Sequence, residues 1–437
     1  MMKIILTLLF LTLPVGWNWW MLVISMFVLV TMMMVYPVSG FLTSYSYGFG
    51  MDSVSFWLIV LTMWLILLML LASFNIKICN LNEHFIVTIM TLGIILVYCF
   101  SSSNLFVFYF MFEGSIIPTL FLIFGWGYQS ERGMAGVYFL FYTLFASLPM
   151  LICIFYIKWS SCTMFFNLIK LDFNIYLYFG MLLAFLVKVP MVFFHYWLPK
   201  AHVEAPVSGS MILAGVLLKL GCYGIYRVMF FINNDLGYGV YLISVSAFGL
   251  LYAGVLCLYQ IDMKSLVAYS SVFHMAVVIW GLLMSNFYGL WGSFLIIIGH
   301  GLCSSGLFCL VNLCYERTCT RSLYINKGMI TVAPVLSMMW FMFCANNMAS
   351  PFSLNLFGEV FVISGVLSWS WFGLLILGVS SFLSCCISIY LYSVSQHGLF
   401  MGFPFLPINV REYFLLIIHW LPLNLMFLML DSILCMF

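Results

Sequence analysis

The chain has 437 residues, of which 66% are hydrophobic and only 6% are charged, and its formal net charge is +2. Because soluble globular proteins carry about 25% charged residues, this composition excludes a soluble protein and predicts one that crosses a membrane many times. The near-neutral charge argues against nucleic-acid binding. The 14 cysteines are scattered through apolar runs without CxxC spacing, which argues against a metal or haem site.

Apolar runs bounded by polar residues, glycine or proline predict the membrane spans. Many of these runs reach the roughly 20 residues that an α-helix needs to cross a bilayer, and they lack the alternation of a membrane β-barrel. We therefore expect an all-α polytopic membrane protein. The fourteen predicted spans lie near 3–15, 18–36, 54–74, 85–101, 104–125, 134–157, 175–198, 207–231, 240–259, 265–284, 287–312, 329–372, 373–395 and 412–430.

The distribution of lysine and arginine predicts the orientation, because these residues gather in the loops on the inner side of a membrane. Loops after even-numbered spans carry only Lys158 and Lys170. This asymmetry predicts that both termini lie on the outer side and that the loops after odd-numbered spans face inward. Those loops carry eight basic residues: Lys77, Arg132, Lys200, Lys264, Arg317, Arg321, Lys327 and Arg411.

Six ionisable residues fall inside predicted spans, where a charge at the bilayer centre costs roughly 2.5–3.5 kcal/mol and usually has a functional reason. Glu113 and Lys188 lie at matching depths, so we expect them to approach each other. Their pair is either a static salt bridge or a proton switch. In a proton switch, burial favours the neutral forms of the two side chains, whereas their mutual attraction favours the charged forms. The six candidates are Glu113, Lys188, Lys219, Glu359, His274 and His300.

The lysine at 219 has no acid in its own span, which favours a functional role over a structural one. His274 and His300 are suited to carrying protons near neutral pH. Buried histidines also serve as hydrogen-bonding residues in a core, and the sequence leaves both interpretations open. No HExxH or other metal-binding spacing surrounds them.

Two prolines predict interrupted helices, because proline removes a backbone donor. Pro190 follows Lys188 by two residues, and Pro351 lies in the run 329–372, where we interpret ANNMASPFSLN as a break within one element. Each interrupted span is the fourth in a block of five, which predicts two inverted five-helix repeats around a transport site. The predicted domains are N-terminal helices at 1–84, a first repeat at 85–231, a second inverted repeat at 240–395 and a C-terminal helix at 396–437.

Four stretches of sequence resemble a known family. They are HYWLPKAHVEAPVSGSMILAGVLLKLGCYGIYR at 195–227, IDMKSLVAYSSVFHM at 261–275, HGLCSSGLFCLVNLCYERTCTR at 300–321 and NLFGE at 355–359. Together they are similar to the antiporter-like subunits of mitochondrial NADH:ubiquinone oxidoreductase, respiratory complex I, and among these to the subunit 4 family. The resemblance extends over about 104–360.

The resemblance implies a role for each candidate residue. Glu113 and Lys188 correspond to the acid and base of a first half-channel, and Lys219 to a central lysine. Glu359 corresponds to the terminal acid of a second half-channel. His274 and His300 correspond to a hydrophilic axis that joins the two half-channels in the middle of the membrane.

The resemblance also implies a place in the cell and a set of partners. The chain is expected to be a multi-pass, proton-translocating subunit of an enzyme, NADH:ubiquinone reductase, in the mitochondrial inner membrane. It is expected to contact lipids and other membrane-arm subunits, including the antiporter-like subunits 2 and 5. Redox chemistry is expected elsewhere, with NADH, FMN, iron–sulfur clusters and ubiquinone bound by other subunits. The alternatives are a free-standing cation/proton antiporter and a purely structural membrane scaffold.

Overall fold

The computed structural model describes residues 2–12, 18–36, 43–77, 82–172, 174–232, 236–400 and 407–434. Over these ranges the chain is mostly α-helical, with one small hairpin of β1 (Thr43–Ser46) and β2 (Phe49–Met51). The helices of the first half are α1 (Met2–Thr12), α2 (Trp19–Met33), α3 (Ser53–Ala72), α4 (Phe74–Lys77), α5 (Asn82–Ser101), α6 (Leu105–Gly114), α7 (Ile116–Trp126), α8 (Arg132–Ser161), α9 (Ile175–Lys188), α10 (Trp197–Glu204), α11 (Val207–Ile212) and α12 (Leu218–Ile232).

The second half of the chain continues this pattern. Its helices are α13 (Leu236–Leu258), α14 (Met263–Leu283), α15 (Phe287–Thr318), α16 (Met329–Val332), α17 (Pro334–Asn347), α18 (Leu354–Trp369), α19 (Trp371–Gln396), α20 (Val410–Leu425) and α21 (Leu430–Leu434). Short 3-10 turns lie at Phe166–Leu168 and Met426–Met429, and a π-helical turn at Leu213–Leu217 joins α11 to α12.

The predicted all-α membrane architecture is confirmed. Within the described part of the chain, ten helices are long and apolar enough to cross a membrane. Four shorter apolar helices account for the remaining predicted spans: Met2–Thr12, Trp19–Met33, Ile175–Lys188 and Leu354–Trp369. The end of the first predicted span, at 13–15, lies outside the described residues.

Both predicted helix breaks are present. The backbone leaves the helix at 189–196, between α9 and α10, and again at 348–353, between α17 and α18. Three non-glycine residues in these breaks adopt positive φ, namely Phe193 at 80°, Ala349 at 58° and Phe352 at 66°. Positive φ is unfavourable for residues with a Cβ atom, so packing of the surrounding helices must hold these turns in place.

Two close helix crossings bring the candidate residues towards the centre of the bundle. A Cβ atom on Gly301 of α15 would lie 3.1 Å from the carbonyl oxygen of Gly215. A Cβ atom on Gly292 of α15 would lie 2.6 Å from the carbonyl oxygen of Gly358 on α18. Small residues allow membrane helices to approach this closely, and α15 therefore contacts both the π-helical turn and the helix that follows the second break.

Candidate functional site

The side chain of Lys219 lies at the centre of the bundle and contacts two polar groups. It is fully buried on α12, and its Nζ donates a hydrogen bond to the carbonyl oxygen of Ala214 at 2.6 Å. The same Nζ lies 2.9 Å from Nδ1 of His300 on α15. Ala214 belongs to the π-helical turn, a kind of irregularity that is frequent at functional sites. Lysine and histidine are therefore in direct hydrogen-bond contact.

The two histidines extend this contact towards the second helix break. The ring centroids of His274 and His300 are 5.5 Å apart, and both side chains are buried. His274 also interacts with the side chain of Asn347, the last residue of α17 before the break. We call Lys219, His300, His274 and Asn347 the central polar row. It runs from the π-helical turn of α11–α12 to the break between α17 and α18.

The chemistry of the central polar row follows from the donors and acceptors present. When the Lys219 ammonium donates to Nδ1 of a neutral His300, the ring proton is on Nε2. Transfer of the lysine proton to Nδ1 would then produce an imidazolium with a second N–H available on its other side. A lysine in contact with a histidine is therefore suited to passing a proton along the row.

Glu359 lies beyond the central polar row, on α18. It lines a cavity of about 20 Å³ with Phe273, Val277 and three serines of α19, Ser380, Ser381 and Ser384. That volume suffices for about one water molecule. In the described residues no hydrogen bond or ion pair joins Glu359 to His274. The cavity adjoins the row all the same, because its lining residue Phe273 is the neighbour of His274 in sequence. The structure thus brings the acid near the row without direct contact.

Glu113 and Lys188 are close to each other but do not form a hydrogen-bonded ion pair. The three ion pairs found among the described residues join other groups. Lys188 Nζ instead donates to the carbonyl oxygen of Phe112 at 2.7 Å and lies 3.2 Å from the centroid of the Phe112 ring. Both carboxyl oxygens of Glu113 are buried without a hydrogen-bond partner in the described structure. The hydroxyl of Ser147 faces Glu113 but donates to the carbonyl oxygen of Leu144 at 3.1 Å.

The chain is similar to known proteins along its length. A family model described as NADH:quinone oxidoreductase/Mrp antiporter, transmembrane, matches residues 102–384. A second model, described as NADH-ubiquinone oxidoreductase chain 4, amino terminus, matches residues 1–99. NADH-ubiquinone oxidoreductase chain 4 of Ceratitis capitata is 48% identical, and the match covers 100% of both chains. The protein of the same name from Aedes aegypti is 50% identical over 87% of both chains.

This chain belongs to the NADH-ubiquinone oxidoreductase chain 4 family. Two solved structures share its fold. One is a chain of respiratory complex I from Thermus thermophilus with bound NADH, with a TM-score of 0.88 at 22% identity; the match covers 99% of this chain and 98% of that chain. The other is a chain of the Mrp complex from Dietzia sp. DQ12-45-1b, with a TM-score of 0.83 at 14% identity; the match covers 95% of this chain and 89% of that chain. At these identities the likeness concerns the fold alone.

In this member of the chain 4 family, two polar residues near Lys219 were missed by the sequence analysis. Lys264 was assigned to a loop, but its side chain is buried at the start of α14 and donates to the carbonyl oxygens of Val203 and Ala205, at 3.2 and 2.7 Å. His202 on α10 is fully buried and stacks on Phe308, with ring centroids 4.6 Å apart. Neither of its ring nitrogens has a hydrogen-bond partner in the described structure.

These two residues lie close to an open groove at one end of the bundle. The groove has a volume of about 510 Å³ and is lined by α8, α10 and the start of α14, including Glu131, Lys200, Glu204, Gln260 and Ser265. The signal for this site was present in the sequence, because PKAHVE at 199–204 and DMK at 262–264 concentrate ionisable residues. Both stretches resemble polar loops, and only the packing of α10 against α14 shows that they are inside.

A buried ion pair was also missed. Arg227 on α12 is paired with Asp52, which precedes α3. Arg227 Nε donates to the hydroxyl of Tyr223 at 2.8 Å, and that hydroxyl donates to the carbonyl oxygen of Phe100 at 3.0 Å. These contacts join three helices near their ends and supply the hydrogen bonds that a buried charge requires. We assign this pair a structural role.

In the described part of the chain, no group of three or more His, Cys, Asp and Glu side chains is arranged to hold a metal ion. The twelve cysteines described there are free thiols. The polar groups that the structure brings together are therefore lysine, histidine, carboxylate and amide side chains, which exchange protons or hydrogen bonds.

Proposed function

We propose that this chain is a proton-translocating subunit of a mitochondrial inner-membrane NADH:ubiquinone oxidoreductase. The observation that carries the proposal is the central polar row, because Lys219, His300 and His274 form a buried series that ends at Asn347 beside a helix break. Buried ionisable groups in a membrane bundle mark ion pathways and proton relays. Membership of the chain 4 family supports the same activity.

Each of the six sequence candidates has a role in this proposal. Glu113 and Lys188 load and release a proton in the first half-channel. Lys219, His300 and His274 carry it along the middle of the membrane. Glu359 releases it through the second half-channel, with Asn347 and a water molecule in the small cavity completing the connection. The roles of Glu113 and Lys188 require motion, since no hydrogen bond joins them in this conformation.

The domain layout belongs to the same proposal. We assign residues 85–231 and 240–395 to two inverted repeats, flanked by N-terminal helices at 1–84 and a C-terminal helix at 396–437. The breaks at 189–196 and 348–353 support the assignment, because each falls in the fourth span of its block. Broken helices at corresponding positions of two inverted halves are typical of secondary transporters.

Redox chemistry is assigned to other subunits of the complex. NADH, FMN, iron–sulfur clusters and ubiquinone would bind there, and this chain would respond to their reaction through its contacts within the membrane. We assign the antiporter-like subunits 2 and 5 as neighbours, together with lipids. The exposed apolar side chains of α2, α8 and α19, such as Phe27, Phe145 and Phe382, are suited to either kind of contact.

A free-standing cation/proton antiporter is the second candidate, favoured by the shared fold with a chain of the Mrp complex. Reconstitution separates the two functions. The isolated chain in sealed vesicles should not exchange Na⁺ or K⁺ for protons, whereas the complete complex should pump protons when NADH is oxidised. Exchange by the isolated chain at a rate comparable with pumping by the complex would favour the antiporter.

Substitution of the two buried lysines tests the proposal directly. Lys188→Met and Lys219→Met nearly preserve side-chain volume and remove the proton carrier. In assembled complex, each should abolish proton pumping by the path through this chain. Lys158→Met is the matched control, because Lys158 is exposed at the end of α8. Normal pumping per NADH oxidised in both buried variants would reject the proposed function.

A further inference from the structure

The side chain of Lys188 has two alternative partners on consecutive residues of α6. One is Phe112, which it contacts, and the other is Glu113, whose carboxyl oxygens have no hydrogen-bond partner in the described structure. Lys188 is the last residue of α9, directly before the helix break. A side chain at the end of a helix can change its direction with little cost to the helix itself. Exchange between the two partners therefore requires only a small movement.

Phe112 holds the ammonium with both its backbone and its ring. Its carbonyl oxygen accepts from Lys188 Nζ at 2.7 Å and also from the hydroxyl of Ser115 at 2.7 Å. This carbonyl lies in the last turn of α6, where carbonyl groups lack intrahelical partners. The ring centroid lies 3.2 Å from Nζ, well inside the range of a cation–π interaction.

The Phe112 ring is fixed in this position by neighbouring aromatic side chains. It is almost completely buried, with the ring of Phe108 at 5.7 Å and the ring of Phe185 at 5.5 Å between centroids. Phe185 lies one turn before Lys188 on α9. The cluster therefore links the helix that carries Glu113 to the helix that carries Lys188, and it keeps the face of the Phe112 ring towards the ammonium.

We propose that Phe112 is a positioning residue that holds the charged side chain of Lys188 away from Glu113 and so determines how often these two groups pair. The interaction with the ring favours the ammonium only, because a neutral amine has no charge to attract the aromatic face. Phe112 thus keeps a charged lysine ready without engaging the carboxylate. The inference rests on the proposed function of Glu113 and Lys188.

Among the described residues, the ionisable groups around this pair are mostly uncharged. The thiol of Cys99 on α5 acts on Lys188 in addition to Glu113. Tyr109 on α6 lies near Glu113, and α12, which also packs on α9, presents Tyr223 to the aromatic cluster. None of these three groups carries a charge near neutral pH in its ordinary state. The partition of the Lys188 ammonium between Phe112 and Glu113 should therefore dominate the local electrostatics.

Phe112→Leu in assembled complex tests the inference, with Phe85→Leu as the matched control. Both substitutions remove a fully buried ring, but Phe85 lies on α5 in a separate aromatic cluster with Trp19 and Trp126. Without the ring beneath Lys188 the ammonium should pair with Glu113 more often, and a pair that is formed most of the time exchanges its proton more slowly. We expect the rate of proton pumping to fall by roughly tenfold, the change in partition that loss of a buried cation–π contact allows. Phe85→Leu should leave the rate unchanged, and Phe112→Tyr, which keeps a ring, should restore it.

The result that would overturn the inference is equally specific. If Phe112→Leu and Phe85→Leu pumped protons at the same rate while Lys188→Met abolished pumping, Phe112 would only fill space and the proposed function would stand. If Lys188→Met pumped normally, the proposed function itself would fail. Phe112→Met replaces Phe112→Leu in the comparison if the leucine variant does not assemble, because it retains the side-chain bulk and lacks the aromatic face.

Discussion

Lys219 and His300 are in direct contact because two features of their helices bring them together. Nζ of Lys219 lies 2.9 Å from Nδ1 of His300, and the helices that carry them cross at Gly215 and Gly301. The π-helical turn directly before α12 places the Ala214 carbonyl on the same ammonium. The contact therefore depends on backbone geometry as much as on the two side chains.

The crossing at Gly301 should be sensitive to a single methyl group. In Gly301→Ala the added Cβ would lie 3.1 Å from the Gly215 carbonyl oxygen and 3.1 Å from Cδ2 of Leu61. Overpacking of this kind destabilises the folded protein by about 1–3 kcal/mol. It also moves α12 away from α15, which lengthens the distance between Lys219 and His300. We expect NADH-driven pumping to be slower. We also expect thermal inactivation of the complex at a temperature a few degrees lower. Gly378→Ala on α19 is the control, because its Cβ would meet nothing within 4 Å; equal behaviour of the two variants would contradict the argument.

The role of His300 is tested by replacing its ring with an amide. His300→Gln keeps a hydrogen-bond acceptor for Lys219 but does not bind a proton near neutral pH. We expect the complex to assemble and pumping through this chain to fall by roughly 100-fold or more, because a positioned proton-transfer group typically contributes about 100- to 10,000-fold. His84→Gln, at an exposed position on α5, should have no effect. Full pumping in His300→Gln would mean that His300 is only a hydrogen-bonding residue of the core.

The sequence predicts the position of the central polar row better than its contacts. Lys219, His274 and His300 were identified because a charge or an imidazole in an apolar span is costly. The two helix breaks were predicted from Pro190 and Pro351. These signals depend on residue type. The contact between Lys219 and His300 depends on how α12 and α15 cross, and the π-helical turn has no residue signature at Leu213–Leu217 that distinguishes it from an ordinary helix.

The expected pairing of Glu113 with Lys188 shows a second limit. Depth in the membrane correctly predicts that the two residues are neighbours, but the ammonium contacts the Phe112 carbonyl. Every residue has a carbonyl group, so residue identity does not reveal which one is free to accept. Lys264 and His202 were missed for a related reason, since a short polar helix and a surface loop have similar composition, and only packing distinguishes them.

Membrane orientation can be tested with two native cysteines. Cys162 follows α8 and Cys319 follows α15, and both are exposed. The asymmetric distribution of lysine and arginine among the loops predicts that Cys162 lies on the outer side of the membrane and Cys319 on the inner side. A membrane-impermeant maleimide added to sealed mitoplasts should therefore modify Cys162, and it should modify Cys319 only after permeabilisation. Lys158→Cys and Arg132→Cys provide a second pair at exposed positions. Labelling of Cys319 in sealed mitoplasts would show that the orientation is reversed.

Replacing Lys188 with arginine separates a proton switch from a structural salt bridge. Lys188→Arg keeps the positive charge at the end of α9, and a guanidinium also interacts well with an aromatic face, so contact with Phe112 should persist. Arginine does not deprotonate in proteins. If Lys188 must give up its proton in each cycle, pumping through this chain should stop although the complex assembles.

A salt bridge that only fixes helix packing predicts the opposite result for the same variant. Arginine would hold Glu113 at least as well as lysine, because its planar fork matches a carboxylate, and pumping would remain normal. Lys188→Met completes the comparison. It leaves Glu113 without a counter-charge, so the acid should become protonated, which is far less costly to bury than an ion, and assembly should survive. The decisive quantity is protons pumped per NADH oxidised: a wild-type value in Lys188→Arg would establish Lys188 as a packing residue.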